Sequence, residues 1–244
     1  MKKESCITAL LLLLIWFLAA IVFNNSIILP GPFDVLNSMT AHVQQPDFLS
    51  VLLSTSIRTL KACFLSLGFG SLLGILSGNF PGIKLFLSPV HQLIKTIPNI
   101  TYMILILIWA GQENSVSIIV FFILFPVFYA QFLNCTEQNH IKTKDLLKIY
   151  PVTGIEKWFK IDLPMLKNEF FESLKTGIGL GFKVCVMAEI LSQVKTGIGK
   201  EMNISRLNLD ISSVFGWTCW LMIVSVLIQL IISIVQKITN HKIN

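Results

Sequence analysis

Few residues of this chain could do chemistry, and several of them stand inside apolar stretches. Arg58, Lys61, Lys95, Lys183 and Glu189 are ionisable, and Asn99 and Met187 lie close to them. A charge in hydrocarbon is costly, so each must meet water, a counter-charge or a polar cavity. Lys183 and Glu189 are six residues apart. That separation is about 120° around a helix, so they do not pair with each other. Lys183 falls on a stripe with Thr176, Gly179 and Met187, while Lys95 and Asn99 flank Pro98. Two readings stay open. In the first, Lys95, Asn99, Lys183, Met187 and Glu189 line a route with positive walls, suited to a small anion. In the second, Lys183 bonds a carbonyl or carboxylate between helices and Glu189 braces an outer gate. Arg58 and Lys61 have long stems that can carry their charges to the membrane interface.

Other chemistries are poorly served. The stretch KTGIGK, 195–200, has a faint likeness to a phosphate-binding loop. Val194 stands where that loop needs its first glycine, and Glu201 stands where it needs Ser or Thr. No Ser/His, Asp/Asp or metal-ligand spacing falls within an apolar stretch, which argues against an intramembrane enzyme. His42, His91, His140 and His241 are too far apart to suggest a ligand set, and the five cysteines show no paired spacing. The expectation is a chain with no catalytic residue, no metal and no cofactor of its own.

The elements that position these residues follow from composition. The chain has 244 residues, of which 54% are hydrophobic and 13% charged, with a mean hydropathy of +0.74. A soluble domain carries about 25% charged residues, so this is a polytopic membrane protein of the all-α class. Six spans are expected. Residues 1–29 hold the first, ended by Pro30-Gly31-Pro32. Residues 30–47 form an external interfacial segment. Residues 48–236 are the core with five spans, and 237–244 a cytoplasmic tail. Asn79 to Lys84 reads as a short turn, Pro98 as a kink in the third span, and 112–115 as an outer turn. Gly70, Gly74 and Gly78 recur every four residues, a spacing that lets another helix come close. Lysine and arginine decide the orientation. With the N-terminus inside, eleven lie in inner segments, three in outer segments and five within spans, of 19 in all. That bias puts both termini, and the long polar insertion at 142–164, in the cytoplasm. The net charge of +6 is accounted for in this way and is no nucleic-acid signal.

The insertion reads KTKDLLKIYPVTGIEKWFKIDLP. Residues 145–150 fit a short amphipathic helix that Pro151 breaks. Thr153 and Glu156 fit a capping box, and Ile155, Trp158 and Phe159 an apolar stripe that runs to Pro164. Two short helices around a rigid corner would make a docking surface for a soluble partner.

Ile161-Asp162-Leu163-Pro164 closes the insertion, with Asp145-Leu146-Leu147 upstream and Pro151 between. This pattern resembles the coupling loop of permease subunits of binding-protein-dependent ABC importers. There the usual head is Glu-Ala-Ala, the corner is glycine and the end is Ile-x-Leu-Pro. Here the head is Asp-Leu-Leu and the corner is Pro151. Ser56 to Leu60, Lys95 to Pro98, Met187 to Leu191 and Gly197-Ile198-Gly199 look like the branch with sulfonate, taurine, nitrate and thiamine-precursor permeases. The resemblance covers roughly residues 54–235. It implies a type I importer permease fold, in which two permease copies form the pathway and two ATPase subunits dock on the cytoplasmic loops. It also implies that ATP-Mg is held by those ATPases and that an external binding protein delivers the solute in a bacterial inner membrane. The rival reading is a stand-alone secondary transporter or channel.

Overall fold

The computed structural model describes residues 2–149, 156 and 163–241, and among these every regular element is a helix. The helices are α1 (Lys2–Phe23), α2 (Pro32–Val43), α3 (Phe48–Asn79), α4 (Pro81–Thr96), α5 (Asn99–Ile149), α6 (Leu163–Ser192), α7 (Ile198–Leu207) and α8 (Ile211–His241). Among the described residues three stretches are long and apolar enough to cross a membrane: Phe48–Asn79, Asn99–Ile141 and Ile211–Thr239. Leu10–Phe23 is a shorter apolar helix. The chain is an integral membrane protein.

Local chemistry places the breaks. α1 stops at Phe23, before the prolines, because Asn24 takes a left-handed conformation (φ 44°) and ends the helix there. Pro32 instead opens α2, a position where its missing N–H costs nothing. The turn expected at 79–84 shrinks to Phe80, since Pro81 starts α4 in the same way. At Pro98 the chain breaks rather than kinks. Ile97, the residue before proline, is extended (φ −69°, ψ 127°). The turn expected at 112–115 centres instead on Gly111, whose φ of 73° and ψ of 178° interrupt α5.

Beyond that corner α5 runs unbroken to Ile149. Asp145, Leu146 and Leu147 are therefore helical as the end of a long rod, not as a separate short helix. No glycine or proline lies between Phe132 and Ile149 to stop it. Lys84 pairs with Glu137 on this portion, and His140 Nε2 bonds Asn79 Oδ1 at 3.2 Å. Leu163 and Pro164 open α6, so Pro164 starts a helix instead of closing one. Glu156 is exposed. Pro151, Thr153, Trp158 and Ile161 lie outside the described residues.

The core is a seam between α3, the 112–149 part of α5, and α6. Leu67, Ile119, Leu124, Phe128, Phe132, Ile178 and Phe182 are fully buried in it. Glycines set its width. A Cβ on Gly70 would stand 2.7 Å from Phe128 Cβ, one on Gly74 2.7 Å from the Tyr129 carbonyl, and one on Gly78 2.6 Å from Thr136 Cβ. The edge of α3 thus lies directly against the backbone of α5, where dispersion is strongest.

A second cluster ties α2 to α8. His42 is buried, stacks on Trp217 with ring centroids 4.2 Å apart, and bonds Ser213 Oγ through Nε2 at 2.8 Å. Its Nδ1 meets no hydrogen-bond partner among the described residues. Burial pushes the imidazole pKa below its ordinary value, and Asp210 only partly opposes this.

Two outcomes follow. Gly74→Leu should cost about 1–3 kcal/mol through overpacking. Gly68→Leu should be nearly neutral, since nothing lies within 4 Å of a Cβ there. Thermal unfolding in detergent compares the two. For His42 the folded protein holds the neutral ring, so its contribution is complete above the unfolded pKa, about 6.5. It is lost as pH falls through the lower folded value. A melting series from pH 7.5 to about 5 should fall for the native chain and flatten in His42→Gln.

Candidate functional site: a polar face on α6 and a charge cluster at its C-terminal end

α6 has two faces. One is packed in the core through Gly177, Ile178, Gly181, Phe182 and Cys185. The other stays open to the surroundings although it lies on a central helix. From the N-terminal end it carries Met165, Glu169, Glu172, Thr176, Gly179, Lys183 and Met187, a three-and-four spacing that keeps them on one side. Lys183 and Met187 are exposed, Met187 at 57%. Two grooves flank this face. The one against α8 encloses about 620 Å³ and is lined by Lys175, Thr176, Gly179, Lys183, Ser225 and Gln229 among others. The one against α5 encloses about 460 Å³ and is lined by Gln131, Asn134, Gln138, Asn168, Glu169 and Glu172 among others. Lysine lies toward the middle of the helix and carboxylates toward its N-terminal end. Lys175 Nζ donates to Glu172 Oε1 at 2.7 Å where the two regions meet.

Lys95 and Asn99 are also exposed, on either side of the break at Pro98. Asn99 Oδ1 accepts from Tyr102 Oη at 2.5 Å. Neither residue lines the two grooves.

Glu189 is placed quite differently from Lys183. Its side chain has no exposed surface and is enclosed by polar groups from three directions. Arg58 Nη1 donates to Oε1 at 2.8 Å. Thr55 Oγ1 lies 3.0 Å from both carboxylate oxygens, and the Gly199 amide donates to Oε2 at 2.9 Å. Thr55 Oγ1 in turn accepts the Ile198 amide at 2.9 Å. The 197–199 turn can come this close only because it is glycine. A Cβ on Gly197 would stand 2.5 Å from Glu189 Oε1, and its φ of 155° disfavours any side chain.

Arg58 reaches further. Nη1 also donates to the Thr196 carbonyl at 2.6 Å, and Nη2 donates to Glu113 Oε2 just after the Gly111 corner. Glu113 Oε1 accepts the Lys195 amide at 2.7 Å. Ser115 and Ser192 hydroxyls bond nearby at 2.9 Å. One guanidinium therefore joins α3, α5, α6 and the 193–197 loop. Arg58 does not simply carry its charge to the interface. The available signal was an arginine in one apolar helix and a lone carboxylate deep in another, which need each other in hydrocarbon. Spacing along one helix separates Glu189 from Lys183 but does not name Arg58 as its partner.

No protein-family model matches the chain. Individual proteins do. The taurine transport system permease protein TauC of Escherichia coli is 25% identical over 198 residues, covering 78% of this chain and 71% of its own length. A putative aliphatic sulfonates transport permease protein, SsuC of Bacillus subtilis, is 22% identical over 200 residues, covering 79% and 70%. The chain is thus similar to permease subunits of ABC transporters. The bicarbonate transport system permease protein CmpB of Synechocystis also matches, at 28% over 134 residues, covering 52% of this chain and 45% of its own length. Those relatives are named as transport permeases, and this chain is likewise a multi-pass membrane protein.

Removing the carboxylate should be severe. Glu189→Ala leaves Arg58 without its buried counter-charge and should destabilise by roughly 3–5 kcal/mol. Lys183→Ala, on the exposed side of the same helix, should change stability by less than about 0.5 kcal/mol. Melting temperatures of the two purified variants check the contrast.

Proposed function

We propose that this chain is the pathway-forming subunit of an ATP-driven importer and that the open face of α6 lines the pathway. The observation that carries this reading is the polar, lysine-bearing stripe on a helix whose opposite face is core. A stripe of that kind is not stable against lipid. Facing a water-filled route between two copies of the chain, it has a purpose: Lys183 attracts a small anion in mid-membrane. The relatives are named for taurine, aliphatic sulfonates and bicarbonate, and a small anionic or zwitterionic solute suits this face as well.

The six spans of this reading are α1, α3, α4 with residues 99–110, the 112–149 part of α5, α6 and α8. Both termini lie in the cytoplasm of a bacterial cell. The 142–164 segment joins α5 to α6 and is the handle on which two ATPase subunits bear. The unbroken inner end of α5 and the Leu163-Pro164 start of α6 support this role. A push on the segment travels along two continuous rods into the core seam, which moves as a body. ATP-Mg stays on the ATPases, and an external binding protein presents the solute.

Co-expression with ATPase subunits from the same genome tests the assembly. The native chain should retain an ATPase through purification, and Asp145→Lys should lose most of it. If no ATPase is retained by any form, the reading falls and a stand-alone transporter takes its place. With the complex in hand, Lys183→Gln should cut uptake of an anionic solute by on the order of tenfold, the loss of one charge-assisted contact. Glu172→Gln should have a smaller effect.

A further inference from the structure

The charge cluster around Arg58 has two halves that differ in kind. The inner half is Glu189. It has no exposed surface and is held by Arg58, Thr55 and the Gly199 amide. Separating it would strand a charge in the membrane. The outer half is Glu113, with 41% of its side chain exposed. It meets only Arg58 Nη2 and the Lys195 amide. An ion pair in contact with water is weak and readily exchanged.

The outer half also sits on a joint. Gly111 precedes Glu113 by two residues, has a φ of 73°, and has open space around it. The 99–110 helix can pivot there with little steric cost. Across the gap, Lys195 and Thr196 belong to the loop between α6 and α7, and both are tied into the cluster through backbone groups. Glu113 thus ties the corner of α5 to Arg58 by an ion pair and to this loop through the Lys195 amide.

We infer that Arg58 and Glu113 form the outer latch of the transport pathway, with Glu189 as its fixed anchor and Gly111 as its hinge. This inference rests on the pathway reading above. When Glu113 lets go, the 99–113 corner swings from the 193–197 loop, the outer end opens, and Arg58 stays with Glu189. A cationic group brought to the outer surface would compete with Arg58 for Glu113 and release the latch. Arg58 and Glu113 are positioning residues in this scheme and do not touch the solute.

The chain carries its own reporter. Cys185 is fully buried beneath the cluster, with Sγ 3.7 Å from the Thr55 carbonyl and 3.9 Å from Glu189 Oε1. Cys63 is equally buried deeper in the core. The purified chain, reconstituted in lipid nanodiscs, is treated with a small water-soluble maleimide. Labelling of each cysteine is followed by peptide mass spectrometry. Glu113→Ala should raise the Cys185 labelling rate roughly tenfold, the change that ~1.4 kcal/mol of opening free energy brings, and leave Cys63 unchanged. Raising the salt from about 0.05 to about 0.5 M should speed Cys185 labelling in the native chain and not in the variant, because only the exposed pair is screened. Lys84→Gln, which breaks the ion pair to Glu137 instead, should leave Cys185 alone. Unchanged Cys185 labelling in Glu113→Ala would overturn the latch. So would Cys185 and Cys63 rising together, since that is loosening of the core and not an outer opening. The measurement needs neither ATPase nor solute, so a failure of the latch and a failure of the importer reading appear in different experiments.

Discussion

The structure depends on keeping one carboxylate, Glu189, paired and satisfied inside the helix bundle. Left alone, that group would cost several kcal/mol. Satisfying it takes a guanidinium from α3, a hydroxyl from the same helix and an amide from the start of α7. Each partner then fixes the element that carries it. Arg58 and Thr55 are one turn apart on α3, so the cluster sets the rotation of that helix as well as its height. Gly197 and Gly199 let the loop fold back over the carboxylate, which sets where α7 begins. The same electrostatic demand thus orders one end of the bundle.

Further along the seam, shape takes over from charge. Between apolar helices in lipid there is little hydrophobic driving force, and close packing has to supply the adhesion. Gly70, Gly74 and Gly78 remove the side chains that would keep α3 from α5, and Phe128, Phe132 and Thr136 fill the space from the other side. The resulting rods run from the charge cluster at one end of the seam to the Lys84–Glu137 pair at the other. A long helix packed in this way transmits displacement instead of absorbing it. That property joins the cytoplasmic handle to the outer corner in the proposed cycle.

Some of this was legible from residue order. Apolar runs, Pro98 and the four-residue glycine spacing are local signals, and local stereochemistry decides their outcome. Other boundaries were misjudged because two local signals competed. Pro32 and Pro164 read as ends of elements and Pro81 as part of a turn, yet at the first turn of a helix proline is a start. The polar insertion beginning at 142 reads as an element separate from the fourth span, yet polar residues without glycine or proline continue a helix. For the site, the open stripe with Thr176, Gly179, Lys183 and Met187 could be drawn from helical periodicity alone. The partnership of Glu189 could not, since its partners come from positions 55, 58 and 199.

By itself the sequence determined the class of this protein. Its hydropathy demands a membrane, and its prolines and glycines mark where apolar helices break. Each of these is a property of residues near one another along the chain, set by transfer energies and backbone stereochemistry. Only the tertiary structure decided which charges are sheltered and which face open. Lys183 and Glu189 share one helix, but a third of a turn separates a groove from a sealed carboxylate. That difference lies in what α3, α5 and the 193–197 loop place against each face, and no spacing within the helix contains it.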